Sequence, residues 1–208
     1  MTSTNGIPST SGIPARWRGL VLGGGREVWD DVLAVEKLLG HPWDGIVVAA
    51  NDIGMYWPRD LHHWVTLHPA KMPGWAKTRD VQHLPPGYLT WGRNARHVNR
   101  AIVPWPGGSS GLLAVQVAIH VGCTRIVLCG VPMTISPHFE ESTEHHVLDS
   151  NRNWSHADKH WKSWVREAHR FRPWTRSMSG RSRHLLGPPT QEWLNDTSGM
   201  AAPVVTPG

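Results

Sequence analysis

The residues able to do chemistry fall in short clusters, each directly after an apolar run. Gly23, Gly24, Gly25 and Arg26 (GGGR) follow GLVL, Asn51 and Asp52 follow GIVVAA, His68 and Lys71 follow WVTL, and Gly130 closes RIVLC. A glycine turn lets backbone amides approach an anion, an Asn amide bonds a phosphate or ribose oxygen, and Arg or Lys neutralises charge. Within GGSSG, Ser109, Ser110 and Gly111 open the apolar run LLAVQVAIHVG, so the serines can cap a helix whose first free N–H groups hold a phosphate. Two histidines, His156 and His160, are four residues apart and share one edge of a helix. A neutral imidazole there can take a proton from a hydroxyl near neutral pH.

Each cluster also has a plainer reading. GGGR serves as a tight strand-to-helix turn, Asn51 as a turn cap, and the histidines as surface groups. GGGR is not a Walker A loop, since no Gly-Lys-Ser/Thr follows, and Val28 stands where a dinucleotide fingerprint needs its last glycine. His156 and His160 can instead hold zinc with His138, His145 or His146. However, no Cys joins them and no HExxH motif occurs, so no metal is expected.

These clusters need a scaffold that brings strand ends together. GLVL, GIVVAA, WVTL and RIVLC read as short strands buried on both faces, with another at Tyr88 to Trp91. Val28, Val32, Val35 and Leu39 recur at helical spacing before the stop at Gly40. LLAVQVAIHVG is apolar nearly all round and reads as a buried helix ended by Gly122. Ser155 to Phe171 has an apolar stripe of Ala157, Trp161, Trp164, Val165 and Ala168. Alternating strands and helices predict one α/β domain, Rossmann-like, with a mostly parallel sheet and helices on both faces. Ligands then bind beyond the carboxyl ends of the strands. The domain is expected over 17–196, between a flexible leader at 1–16 and a flexible tail at 197–208. Pro132 to Asn153 reads as a polar loop, and the arginine-rich stretch from Arg172 to Leu194 as a wrap without its own core.

Composition agrees. A chain of 208 residues with 39% apolar and 18% charged residues buries a core and is not mainly disordered. The formal charge of +5 suits phosphate-bearing partners. Cys123 and Cys129 match no metal or redox spacing and read as buried thiols, which fits a reducing compartment and a cytoplasmic location. No stretch has the length of a membrane span, and the first residues lack the apolar core of a signal peptide. Most of the 13 tryptophans are expected to fill the core.

The segment SSGLLAVQVAIHVGCTRIVLCG resembles the signature of bacterial sialyltransferases and of their motility-accessory-factor and pterin-pyrophosphokinase-like relatives. The Gly-rich loop after the first strand, the Asn after the second and a His opening a later helix keep the same order, over about Leu20 to Phe171. The remainder, including MSGRSRHLLGPPTQEWL, resembles uncharacterised phage proteins, which would place the chain in a host cytoplasm. The resemblance implies sugar transfer from a nucleotide-sugar donor without metal or further cofactor. Gly23 to Gly25 and Asn51 would face the phosphates, Ser109, Ser110 and Gly111 would line the nucleotide, and His156 would be the general base. Two departures bear on the donor. Gly24 stands where the family has Asn, and Gly130-Val131-Pro132 replaces a Gly-Ile-Asp whose Asp holds the ribose. A diphosphate donor would need cations such as Arg26, Lys71 or Arg79.

The acceptor would be a hydroxyl: the basic charge and the arginine-rich tail make a hydroxylated base in DNA a reasonable one, and a small glycan or a protein stays open beside it. Two other readings stay open: a pyrophosphokinase-like enzyme, which would need a magnesium site, and a nucleotide- or nucleic-acid-binding module without catalysis.

Overall fold

The structure is a computed structural model that describes residues 17–102, 108–134, 138–140 and 160–196. The expected leader and tail, and His145, His146 and His156, lie outside the described residues.

One seven-stranded, all-parallel sheet forms the centre, as the alternating pattern predicts. Its strands are β1 (Arg18–Leu22), β2 (Ile46–Ala50), β3 (His63–Val65), β4 (Leu89–Gly92), β5 (Arg100–Ala101), β6 (Arg125–Cys129) and β7 (Thr175–Ser177), in the order β5-β4-β3-β2-β1-β6-β7. The chain therefore builds outward from β1 to β5, then returns to the other side of β1. The register aligns Leu22 with Ala49 on one side and with Cys129 on the other, so the carboxyl ends of β2, β1 and β6 finish level. This reversal between β1 and β6 is the topological switch point of the fold.

Both faces are covered. The helices are α1 (Val28–Leu39), α2 (Met72–Val81), α3 (Ser110–His120), α4 (160–171), α5 (Gly180–Leu186) and α6 (Gln191–Asn195). Leu20, Leu22 and Val47 of the sheet pack with Val28, Val32 and Val35 of α1, Met72 of α2 and Leu194 of α6. On the other face Val21, Val48 and Leu128 pack with α3, and Trp164, Ala168 and Phe171 of α4 close over it. This double cover explains why α3 is apolar nearly all round and why β1 and β6 are buried at every position. Both cysteines are buried free thiols. Among the described residues, no helix is long and apolar enough to cross a membrane.

Two expectations change, and one helix is added. The stretch after Arg172 does more than wrap the domain, because Thr175–Ser177 pairs with β6 as a strand and α5 and α6 pack behind it. Val165 is 48% exposed and leaves the apolar stripe of α4. Helix α2, with a Pro near its start and few buried side chains, gives little amphipathic signal and goes unpredicted.

Candidate functional site

The sheet order gathers most of the sequence-nominated residues at one edge, beyond the carboxyl ends of β1, β2, β3 and β6. Thr66 is the junction. Its Oγ1 donates to Asn51 Oδ1 at 3.0 Å and accepts from the His68 amide at 2.9 Å. One residue on, the Leu67 amide donates to Ser110 Oγ at 3.2 Å, which ties the end of β3 to the start of α3. Ser109 caps α3 by accepting from the Leu112 amide at 3.3 Å, and it also accepts from Trp164 Nε1 at 2.9 Å. The first turns of α4, including His160, are thereby drawn to the same edge. Asn51 sits in the left-handed region at φ 63, a conformation Asn tolerates better than most residues. Its carbonyl accepts from Trp64 Nε1. With Oδ1 taken by Thr66, its amide nitrogen has no partner among the described residues.

Several nominated groups are consumed by the fold itself. The amides of Gly23 and Gly25 donate to the carbonyls of Cys129 and Gly130, both at 2.8 Å. The Gly130 amide donates to Asp31 Oδ2 at 2.9 Å. None of these three amides is free for a phosphate. Gly111 packs against Val131 and Trp164. Arg79, expected as a phosphate or acceptor contact, is wholly buried and away from the edge. Its guanidinium donates to the carbonyls of Gly54, Trp57, Arg59 and Pro85, so its positive charge is spent on organising a loop. Arg26, His68 and Lys71 are exposed at the edge.

The densest chemistry lies where the chain returns over the glycine turn. The Phe139 amide donates to the Gly24 carbonyl at 3.0 Å, and His138 bridges Gly25. The Phe139 ring meets Tyr56 and Trp29 edge-on, with centroids 5.4 and 6.5 Å away. This seats His138 so close to Gly24 that a Cβ there would lie 2.7 Å from its Nε2, which accounts for the glycine. His138 Nε2 is 3.2 Å from Asp52 Oδ1, and its Nδ1 is 3.7 Å from Glu140 Oε2. The Tyr56 hydroxyl bonds the Glu140 carboxylate, and that bond, with burial and nearby negative charge, pushes the phenol up to about 12. Asp52, His138 and Glu140 offer donor atoms that all lie within 4.8 Å of one another. Sequence reasoning expected no metal and named His138 only as a partner for His156 and His160. Glu140 and Tyr56 were missed, since an isolated Glu in a polar loop carries no spacing signal.

Asp31 was also missed. It occupies the first turn of α1, directly over the end of β6. Ser179 donates to the same oxygen at 2.8 Å, and burial holds the carboxyl above the usual carboxylate range against both bonds.

A groove of about 460 Å³ lined by Trp43, Asp44, Trp57, Arg59 and His62 lies at the opposite edge, by the start of β2. It shares no residue with the carboxyl-edge site. Comparison with protein-family models, with curated proteins and with solved structures gives no match to this chain. The class defined by fold and site is thus an all-parallel α/β domain with a titratable cluster at its switch-point edge.

Proposed function

We propose that this chain is a glycosyltransferase that moves a sugar from a nucleotide-sugar donor to an acceptor hydroxyl. The observation that carries this reading is the Thr66 junction. It draws Asn51, His68 and the capped start of α3 to one strand-end edge, where open parallel sheets bind nucleotides. The Asn51 amide, the exposed Arg26 and Lys71, and the first amides of α3 supply donors for phosphate oxygens. His160, at the described start of α4, and His156 just before it are the candidate bases.

In the reaction the acceptor oxygen attacks the anomeric carbon as the bond from that carbon to the donor phosphate oxygen breaks. The electron pair leaves with the nucleotide, the hydroxyl proton passes to histidine, and the anomeric configuration inverts. Lys162, Arg166, Arg170, Arg172, Arg181 and Arg183, set against Glu167 as the acid of the same segment, favour a polyanionic acceptor such as DNA carrying a hydroxylated base.

The test is a thermal-shift screen of the full chain against CMP, UDP, GDP and ADP and their sugar conjugates, followed by turnover of the donor that binds. Saturation at one hundred times the dissociation constant adds about 2.7 kcal/mol. His156→Ala or His160→Ala is expected to abolish turnover while donor affinity stays within about twofold. No shift from any nucleotide, or full turnover in both variants, would overturn the reading.

A further inference from the structure

We propose that Asp52, His138 and Glu140 form a binding site for a single divalent cation. The three side chains come from two places that only the fold unites: Asp52 follows β2, and the other two follow β6. Asp52 Oδ1 and His138 Nε2 are 3.2 Å apart, the spacing of neighbouring ligands around an ion at about 2.1 Å. All three donors lie within 4.8 Å of one another, so the widest pair exceeds the ~4.2 Å that separates opposite ligands of an ion at about 2.1 Å by ~0.6 Å at most.

The alternative role for His138, proton acceptor from a substrate, meets an obstacle in the same geometry. A general base needs one ring nitrogen turned to the substrate. Here carboxylates face both nitrogens, at 3.2 and 3.7 Å. That arrangement leaves neither ring nitrogen turned toward a substrate hydroxyl, and it sets an imidazole between two carboxylates that can share a cation with it.

Two further features favour a built site over a chance meeting of charges. Gly24 lacks the Cβ that would collide with the imidazole, and Tyr56 bonds the Glu140 carboxylate. One imidazole with two carboxylates suits Mn²⁺ or Zn²⁺ better than Ca²⁺, whose ligands are all oxygen.

An ion held by Asp52, the residue after Asn51, has open positions that can take phosphate oxygens and offset the charge of a departing diphosphate. This last role rests on the sugar-transfer reading, whereas the ion site does not. It leaves proton removal to His160 or His156 and selects a nucleoside-diphosphate donor over a monophosphate one.

The experiment is a titration of the metal-stripped full chain with MnCl₂ near pH 7 and without nucleotide, with free Mn²⁺ read by electron paramagnetic resonance. One saturable site per chain is expected, weakened at least tenfold in Asp52→Asn and in His138→Gln. Glu140→Gln, at a side chain 42% exposed, gives a third variant that tests the site should either of the others fail to fold. No saturable binding, or equal binding in every folded variant, overturns the site. Uridine diphosphate is then added, with cytidine monophosphate as control. Tighter Mn²⁺ binding with the diphosphate alone supports the catalytic role. An intact ion site indifferent to both nucleotides removes that role and leaves the cation site standing.

Discussion

The carboxylate of Asp31 accepts a hydrogen bond from the Gly130 amide at 2.9 Å, joining the first turn of α1 to the end of β6 across 99 positions of sequence. This bond closes the switch point from within. It occupies the amide that a phosphate would otherwise use and, with Ser179 on the same oxygen, locks the segment after β7 over the crossing.

Removal of that acceptor leaves a buried amide unpaired. Asp31→Ala is expected to lose about 2–3 kcal/mol, and Asp31→Asn less, since its amide oxygen still accepts. Because burial raises the carboxyl in the folded state, the advantage of the neutral acid is full below the ordinary value of 3.8 and is lost as pH rises through the raised one. Urea midpoints at pH 3.5, 5 and 7 should therefore show the wild type losing ground to Asp31→Asn with rising pH. A pH-independent difference would contradict this.

Gly130 is at φ 66, and a Cβ there would lie 2.6 Å from Val28 Cβ and 2.7 Å from the Gly23 carbonyl oxygen. Gly130→Ala combines left-handed strain with overpacking and should cost about 2–5 kcal/mol. Gly40→Ala is the control. It has φ 79 but nothing within 4 Å, so it should cost about 1–2 kcal/mol, the conformational part alone. Equal losses in the two denaturation curves would show that the crossing is not tight.

Arg79→Met would strip four backbone carbonyls of their donor, at an expected cost of about 3–5 kcal/mol. Whatever nucleotide binds the wild type should bind the folded fraction of this variant with unchanged affinity. A selective loss of nucleotide affinity at unchanged stability would return Arg79 to the ligand site.

His62 and His63 accept hydrogen bonds at Nδ1 from the Val47 amide and Trp91 Nε1, roles that need a neutral ring. Burial, followed by neighbouring His62 and His120, drives His63 down to about 4. A depressed folded value means that stability is full above 6.5 and is lost as pH falls from there toward 4, because the unfolded chain takes the proton first. His63→Gln should flatten part of that acid loss and leave the share of His62, whose burial also lowers it. A wild-type stability that does not change between pH 7 and 4.5 would refute this.

Local signals were enough for much of the fold. Apolar runs buried on both faces marked β1, β2 and β6, Gly40 marked the end of α1, and Ser109 marked the start of α3, because strand burial and helix capping act over a few residues. Strands of two or three residues, such as Arg100–Ala101 and Thr175–Ser177, carry too little periodicity to be read.

By itself the sequence determined that this is a parallel α/β domain with its polar clusters beyond the strand ends. The tertiary structure decided which of those clusters meet. Arg79 looked like a phosphate contact because a formula for charge contains no burial. His138 looked incidental because loops have no period, and only the return of β6 beside β1 sets it 3.2 Å from Asp52, 86 positions away. Contacts between distant loops follow from strand order, and strand order is settled by burying both faces of one sheet at once.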